Sequence, residues 1–180
     1  MRVLLDACVL YPTVMREVLL GAAAAGFFTP LWSPRILEEW ARATAKLGPE
    51  GMAVARAEIA VLRDRWPDAE VTPQDGAALG LSLPDPDDIH VLAAAIAGRA
   101  EILCTLNLQD FPTLALAAHR LMRRDPDGLL RGFHDDAPDR MAQVAAAVRA
   151  RAEAISGQPQ PLRALLKKAR LPRLAKALAG

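Results

Sequence analysis

Short apolar runs alternate with longer segments of helical spacing over the first two thirds of the chain. Residues 3–5, 28–32 and 102–105 are apolar runs of the length that buried parallel strands have. Residues 70–72 and 121–122 are weaker strand candidates. Because helical segments separate these runs, the pattern predicts an α/β fold around a mostly parallel central sheet.

Proline and capping side chains mark the helix starts between the predicted strands. Pro12 opens a helical stretch, and Ser33 followed by Pro34 predicts a helix with a capped first turn. A further helix is expected over residues 50–66. The acidic run at residues 85–88 begins the next helix, where the helix dipole favours negative charge.

The pattern becomes purely helical after about residue 135. Pro138 begins an amphipathic helix, residues 157–161 form a linker, and residues 162–179 form short basic helices. The chain is therefore expected to divide into an α/β domain over residues 1–130 and a helical, basic C-terminal extension over residues 131–180.

Composition and charge are those of a globular protein with two unlike halves. The 180 residues are 52% hydrophobic and carry a net charge of +1, which excludes wholesale disorder and a globally basic coat protein for nucleic acid. Residues 1–119 carry 9 Lys/Arg and 15 Asp/Glu, whereas residues 120–180 carry 13 and 6. This asymmetry indicates either an acidic cation site beside a basic surface for an anionic polymer, or two halves that attract each other.

The cysteines, histidines and hydropathy disfavour a disulfide-rich, a zinc-binding or a membrane-spanning protein. Cys8 and Cys104 lie in apolar runs without a CxxC pair, so we interpret them as buried thiols in a reducing compartment. The three histidines lack zinc-ligand spacing. The uncharged stretch at residues 18–34 is too short for a membrane span. We therefore expect a soluble cytoplasmic protein without a membrane partner.

Acidic side chains accumulate at the ends of the predicted strands and helices. Asp6 follows the first strand, and Asn107 and Asp110 follow the strand at residues 102–105. The helices add Glu38, Glu39, Asp85, Asp87 and Asp88. In an open α/β sheet the functional site lies beyond the carboxyl ends of the strands. Clustered carboxylates repel one another unless a cation joins them, and oxygen ligands suit Mg²⁺ or Mn²⁺. The alternative for Asp85 is a helix cap.

Four segments in order resemble the motifs of PIN-domain ribonucleases, in particular VapC-type toxins. They are VLLDACVLYP at residues 3–12, WSPRILEEW at 32–40, DPDDIHVLAAA at 85–95 and TLNLQDFP at 105–112. The similarity covers roughly residues 2–125, and the helical remainder resembles the C-terminal extension on one branch of these toxins. The resemblance implies a PIN-like three-layer sandwich with an acidic metal site.

The resemblance also implies roles for individual acids. Asp6, Glu39 and Asp88 take the first three acidic positions, as catalytic residues and as ligands of Mg²⁺ or Mn²⁺. Asp85 is an added or alternative metal ligand, and Glu38 is the alternative to Glu39.

Two positions depart from the family pattern. Asn107 stands at the fourth catalytic position, where the family often has Asp, so its amide would ligate through oxygen or act through water. Asp110 is the alternative source of that charge. Cys8 stands where the motif usually has Asn, which puts in question a polar contact rather than the metal site.

Four residues are candidates for substrate binding: Arg16, Thr105, Lys167 and Lys168. Arg16 would bind phosphate, or alternatively form an ion pair with Glu38 or Asp110. The Thr105 hydroxyl would contact substrate or a metal ligand, or alternatively the backbone. The two lysines belong to a basic tail that would follow the RNA backbone, or alternatively form a solvated face.

The function implied by the resemblance is a metal-dependent endoribonuclease, the toxin of a type II toxin–antitoxin pair with a cognate antitoxin. A homodimer is expected, because Leu19 and Leu20 on the first helix exceed what one helix face buries. The alternative is a catalytically weak PIN-like module that binds RNA or protein, which Asn107 and Cys8 leave open. A phosphatase with an aspartyl nucleophile is disfavoured, because it needs a second Asp at the position of Cys8.

Overall fold

The computed structural model describes residues 1–76 and 79–179, which form two compact units. The first unit comprises Met1–Tyr11 and Thr29–Arg124, and the second comprises Pro12–Phe28 and the residues from Asp125 onward. The second unit thus combines a segment from near the start of the chain with the C-terminal segment. The limits of these compact units differ from the expected domain boundary between residues 130 and 131. The division into two domains at that boundary stays a prediction.

Four parallel strands form a sheet in the described part of the first unit. They are β1 (Arg2–Leu5), β2 (Thr29–Leu31), β3 (Ile102–Cys104) and β4 (Met122–Arg124). Their order is β2-β1-β3-β4, so β1 and β3 are central and β4 is an edge strand. The predicted α/β fold with a parallel sheet is confirmed. The expected strand at residues 70–72 is wrong, because it contributes a single bridge between Trp32 and Glu70.

Helices make up most of the remaining chain. In chain order they are α1 (Ala7–Leu10), α2 (Thr13–Ala24), α3 (Pro34–Ala43), α4 (Pro49–Arg65), α5 (Ile89–Ala97), α6 (Thr113–Ala117), α7 (Pro126–Asp136), α8 (Pro138–Ser156), α9 (Leu162–Lys168) and α10 (Pro172–Ala177). Turns of 3-10 helix lie at Thr44–Leu47, Pro86–Asp88 and Leu108–Asp110. The helices of the described residues are too short or too polar to cross a membrane.

Local sequence accounts for the limits of the elements near the sheet. The last three residues of β1 are fully buried, as a parallel strand covered on both faces requires. The Ile36 N–H donates to Ser33 Oγ at 3.3 Å, which caps α3 where the sequence predicts its start. The next predicted start is displaced: the Asp87 N–H donates to Asp85 at 2.9 Å, and α5 begins only at Ile89, after a 3-10 turn.

The second unit is helical, and its core joins α2 to the C-terminal helices. Leu19 and Leu20 are buried, so the expected surplus of exposed apolar surface on this helix is wrong. A Cβ atom at Gly21 would lie 2.8 Å from Val144 Cγ1, and glycine therefore permits the close approach of α2 and α8. The helix begins at Thr13 rather than at Pro12, because α1 forms a separate short helix before it.

The basic C-terminal segment is anchored within the second unit. Leu166, Leu171 and Leu174 are fully buried, whereas the neighbouring lysines of α9 are exposed. The buried carboxylate of Asp127 accepts hydrogen bonds from the backbone N–H groups of Arg173 at 2.8 Å and Leu174 at 3.0 Å. Asp127 therefore caps α10 across a distance of more than forty residues in sequence.

Candidate active site

Asp6 is held at the carboxyl end of β1 by its backbone and its side chain. Its N–H donates to the Cys104 carbonyl at 3.1 Å, which continues the pairing of β1 with β3. Its carboxylate Oδ1 accepts from the Ala7 N–H at 2.6 Å, so Asp6 caps α1. The residue is 5% exposed. The sequence thus places a carboxylate at the sheet edge, and the cap fixes its direction.

The second oxygen of Asp6 is held by a hydroxyl and a thiol. Thr105 Oγ1 donates to Asp6 Oδ2 at 2.7 Å and itself accepts from the Asn107 N–H at 3.0 Å. Cys8 Sγ donates to the same Oδ2 at 3.1 Å and accepts from the Leu106 N–H at 3.2 Å. These bonds tie the loop after β3 to Asp6. The interpretation of Thr105 as a partner of a candidate metal ligand is the one its contacts favour.

Cys8 is a neutral hydrogen-bond donor in this arrangement. Burial, followed by the negative charge of Asp6, raises the pKa of the Cys8 thiol to about 12. The thiol therefore keeps its proton at neutral pH and can donate it to a carboxylate. This accounts for a cysteine at a position where a polar residue is usual, a role that the sequence did not indicate.

Asp88 lies where several negative charges meet. Partial burial, and then the charges of Asp6, Asp85 and Asp110, raise the pKa of Asp88 to about 6, while His90 acts in the opposite direction. The negative charges of three acids that were candidates from the sequence thus act on the Asp88 carboxylate. Asp85 also caps the turn Pro86–Asp88, so its two interpretations, cap and site acid, coexist.

Replacing Asp88 with asparagine is expected to stabilise the protein at neutral pH. Because the folded-state pKa lies above the ordinary value of 3.8, the contribution of Asp88 to the free energy of unfolding is highest below about pH 4 and is lost as the pH rises through about 6. Allowing for solvent screening at this partly exposed group, Asp88→Asn should gain about 1 kcal/mol at pH 7, or roughly 2–4 °C in Tm. Thermal unfolding between pH 4 and 8 in EDTA measures this gain. The exposed Asp68→Asn is the matched control, and an equal pH dependence in parent and Asp88→Asn would contradict the prediction.

Glu39 and Glu38 occupy α3 but have different partners. Glu39 Oε1 accepts from Arg35 Nε at 3.2 Å and from His90 Nε2 at 2.8 Å. Partial burial alone would raise the pKa of Glu39, but these two partners hold that pKa below its ordinary value. Glu38 instead pairs with Arg42 at 3.1 Å and with an arginine of α4. Of the two alternatives, Glu39 is the one in contact with the helix that follows Asp88.

His90 is a contact of the site that sequence reasoning missed. The residue lies two positions after Asp88, and helical spacing separates their directions. It nevertheless reaches Glu39 through Nε2 and is nearly buried. No signal in the sequence identifies this contact, since it joins α5 to α3 across about fifty residues of chain.

Asn107 and Asp110 lie on the loop after β3. Asn107 is exposed and starts the turn Leu108–Asp110, while Asp110 is half-buried and contributes charge at Asp88. Arg123 of β4 donates through Nη1 to the carbonyls of Leu108 and Phe111, which holds this loop against the sheet. Of these two residues, Asp110 adds negative charge near Asp88, whereas Asn107 offers an exposed, uncharged amide.

The other substrate-binding candidates belong to the second unit. Arg16 lies on α2 and is buried, and its part in phosphate binding stays a prediction. Lys167 and Lys168 lie in the last turn of α9 and are exposed. Their part in substrate binding stays a prediction.

The donor chemistry at this edge of the sheet fits a hard divalent cation. Asp6, Asp85, Asp88 and Asp110 offer carboxylate oxygens, and the pKa of Asp88 is raised first by partial burial and then by the charges of the other three, a repulsion that a cation would relieve. Over residues 1–76 and 79–179, no three His, Cys, Asp or Glu side chains are gathered closely enough to hold a metal ion. These acids therefore interact through their charges without forming a preassembled ligand cage.

Comparison with known proteins identifies a family for the first part of the chain. Residues 2–109 match the family described as PIN domain. The match begins at β1 and reaches the loop after β3, so it includes Asp6, Asp88 and Asn107. No curated protein and no solved structure matches the chain.

Proposed function

This chain belongs to the PIN-domain family, and from that premise we propose that it is a divalent-metal-dependent endoribonuclease. PIN domains are typically nucleases that use divalent metals and bind RNA. The observation that supports the proposal most is Asp6, which the Ala7 N–H and Thr105 hold at the carboxyl end of β1. Its charge, with those of Asp85 and Asp110, adds to partial burial in raising the pKa of Asp88. A nuclease site of this kind needs such an accumulation of oxygen ligands.

The acids divide into cation ligands and supporting groups in this proposal. Asp6 and Asp88, with Asp85 and Glu39, would hold Mg²⁺ or Mn²⁺. When bound, that cation supplies activation of water and neutralises charge on the phosphodiester. Thr105 and Cys8 fix the direction of the Asp6 carboxylate through Oδ2.

The remaining groups of the site position its parts and contact substrate. His90 and Arg35 hold Glu39 ionised and oriented towards the start of α5. The exposed Asn107 amide is free of charge, so it can donate to a phosphate oxygen without repelling it. Asp110 adds negative charge from the same loop.

Metal removal tests this function directly. The purified chain should cleave single-stranded RNA in Mg²⁺ or Mn²⁺ and lose cleavage in excess EDTA, with activity returning when the cation is restored. Gel analysis of an end-labelled RNA measures internal cleavage. RNA binding without cleavage under all these conditions would favour the alternative of a catalytically weak binding module.

We also propose that the chain is a cytoplasmic toxin with a cognate antitoxin. The motifs that resemble VapC-type toxins support this. Expression of the parent chain should arrest growth, and co-expression of the product of a short adjacent reading frame should relieve the arrest. An Asp6→Asn chain that arrests growth equally well would contradict the proposal.

A homodimer is part of the proposal, although the leucines that suggested it are buried. The structure offers another apolar surface, the outward face of α4, where Val54 is 58% and Val61 is 67% exposed. These residues lie seven positions apart, two helical turns along one face. Sedimentation at micromolar concentration should give a species near twice 19.3 kDa. Val54→Lys with Val61→Lys should give a monomer, and a parent that sediments as a monomer would remove the dimer.

A further inference from the structure

A cleft of about 350 Å³ lies at the amino ends of β3 and β4, the sheet edge opposite to Asp6. Its lining combines apolar side chains with charged ones, among them Ile96, Leu121, Arg99, Arg120, His119 and Glu101. None of these residues has a part in the proposed catalytic site. The cleft is therefore a separate feature of the first unit.

The cleft carries unpaired positive charge. Arg99 and Arg120 are exposed, and within the described chain neither forms an ion pair or a side-chain hydrogen bond. The acid of the cleft, Glu101, is already occupied: it accepts from the Arg2 N–H at 2.9 Å and lies 3.7 Å from the amino group of Met1. The guanidinium groups of Arg99 and Arg120 can therefore bind an anionic ligand without breaking an internal ion pair.

Helix ends place both arginines at the cleft. Arg99 and Arg120 follow α5 and α6 with φ of 49° and 57°, in the left-handed region that favours glycine. The following N–H groups close the helices, with Ala100 donating to Ala95 and Leu121 to Leu116. Arg170 adopts the same conformation after α9 in the second unit. Glycine would fit the backbone better at both cleft positions, so a substitution there can remove charge without backbone strain.

A third exposed arginine, Arg124, lies at the far end of the edge strand, where its backbone contacts Thr105 of the acidic site. Arg124 ends β4 and is exposed, and its carbonyl accepts from the Thr105 N–H at 3.1 Å. Thr105 in turn donates to Asp6. Arg120 precedes Arg124 by four residues, of which the last three form β4. Exposed arginines thus lie at both ends of β4.

We propose that Arg99, Arg120 and Arg124 form a track that binds single-stranded RNA and leads it along β4 to the acidic site. Guanidinium groups bind phosphate oxygens in pairs of hydrogen bonds, and the apolar floor of the cleft suits a base. The track ends at carboxylates, where a phosphodiester has a chemical use and an acidic peptide has none. This inference rests on the proposed function, since it assigns the path of that same substrate.

Glycine variants test the track without disturbing the fold. Arg99→Gly with Arg120→Gly should have a Tm equal to or above that of the parent. Binding of a fluorescent 20-nucleotide single-stranded RNA in EDTA should weaken roughly tenfold or more. The slope of log affinity against log salt should fall by about 1.4 for two lost phosphate contacts. Arg124→Gln should weaken binding in the same direction.

Matched controls separate the track from other positive charge. Arg65→Gln with Lys46→Gln removes two exposed positive charges of the first unit that lie outside the cleft; this variant should leave affinity and salt slope close to those of the parent. Unchanged affinity and slope in the stable glycine variant would overturn the inference. So would a glycine variant that binds RNA normally but loses binding of polyglutamate, because the cleft would then be a protein-docking site.

The outcome for cleavage distinguishes this inference from the proposed function. If the parent cleaves RNA in Mn²⁺ and the glycine variant binds and cleaves long RNA equally well, the track fails and the function stands. If the parent cleaves no RNA but the glycine variant binds RNA more weakly than the parent, the function fails and the track stands.

Discussion

Metal-dependent RNA cleavage is expected to fall on the order of 10³-fold when Asp6 is replaced by asparagine, since a bound cation supplies several kcal/mol of transition-state stabilisation. Asp6 is the acid that the fold holds most firmly, with one oxygen on the Ala7 N–H and the other on Thr105 and Cys8. The exposed Asp68→Asn, with the same change of charge in the same unit, should retain the parent rate. Initial cleavage rates in saturating Mn²⁺ measure both variants.

The same substitution has a second expected result that charge repulsion alone would not give. Relief of repulsion predicts a gain in stability, as for Asp88. An amide nitrogen in place of Oδ2, however, sets a donor against the Thr105 hydroxyl and the Cys8 thiol, which are donors themselves. We therefore expect Asp6→Asn to lose about 1–2 kcal/mol of unfolding free energy. Parent-like cleavage by a folded Asp6→Asn would remove Asp6 from the site.

Deleting residues 158–180 is expected to unfold the second unit. Removing a buried leucine side chain costs about 2–5 kcal/mol, and the deletion removes the three fully buried leucines of the C-terminal segment, so the loss approaches the whole stability of a typical domain. It also leaves the buried Asp127 carboxylate without its two backbone donors. A mobile basic arm, as the charge pattern suggests, would instead leave stability intact.

Asp127→Ala provides the milder version of this test. It removes the cap of α10 but keeps every leucine, so a loss of about 1–3 kcal/mol is expected. Thermal and denaturant unfolding followed by circular dichroism compare the two variants with Lys167→Gln and Lys168→Gln, which should unfold like the parent. A deletion variant that melts at the temperature of the parent would contradict the anchored arrangement.

Elements carried by local signals could be predicted from the sequence. The apolar run before Asp6 gave β1, and the Ser-Pro pair at residues 33–34 gave the start of α3. Helix α7 was not predicted, although Asp125 caps it by accepting from the Gly128 N–H and Pro126 stands in its first turn. The Asp-Pro pair at residues 125–126 is thus a capping signal of the same kind as the Ser-Pro pair.

Candidate residues of the site could be predicted where they stand at the end of a strand or at the start of a helix, but their contacts could not be predicted where the partner is distant in sequence. Asp6 and Asp88 follow from their positions in the chain. The contacts of His90 with Glu39 and of Cys8 with Leu106 join segments separated by fifty to a hundred residues. Likewise, the net charge of residues 162–179 indicates a basic surface, whereas the burial of its leucines depends on partners elsewhere in the second unit.

The composition of the second unit sets an order of events during synthesis. Gly21 of α2 packs against Val144 of α8, which is synthesised 123 residues later. During synthesis α2 is therefore made long before its partner. At 5–20 residues per second this delay lasts on the order of 6–25 s. During that interval the apolar face of α2 lacks its partner α8. The helical unit is therefore completed only after α8 to α10 have been translated, and products truncated before α8 would lack it.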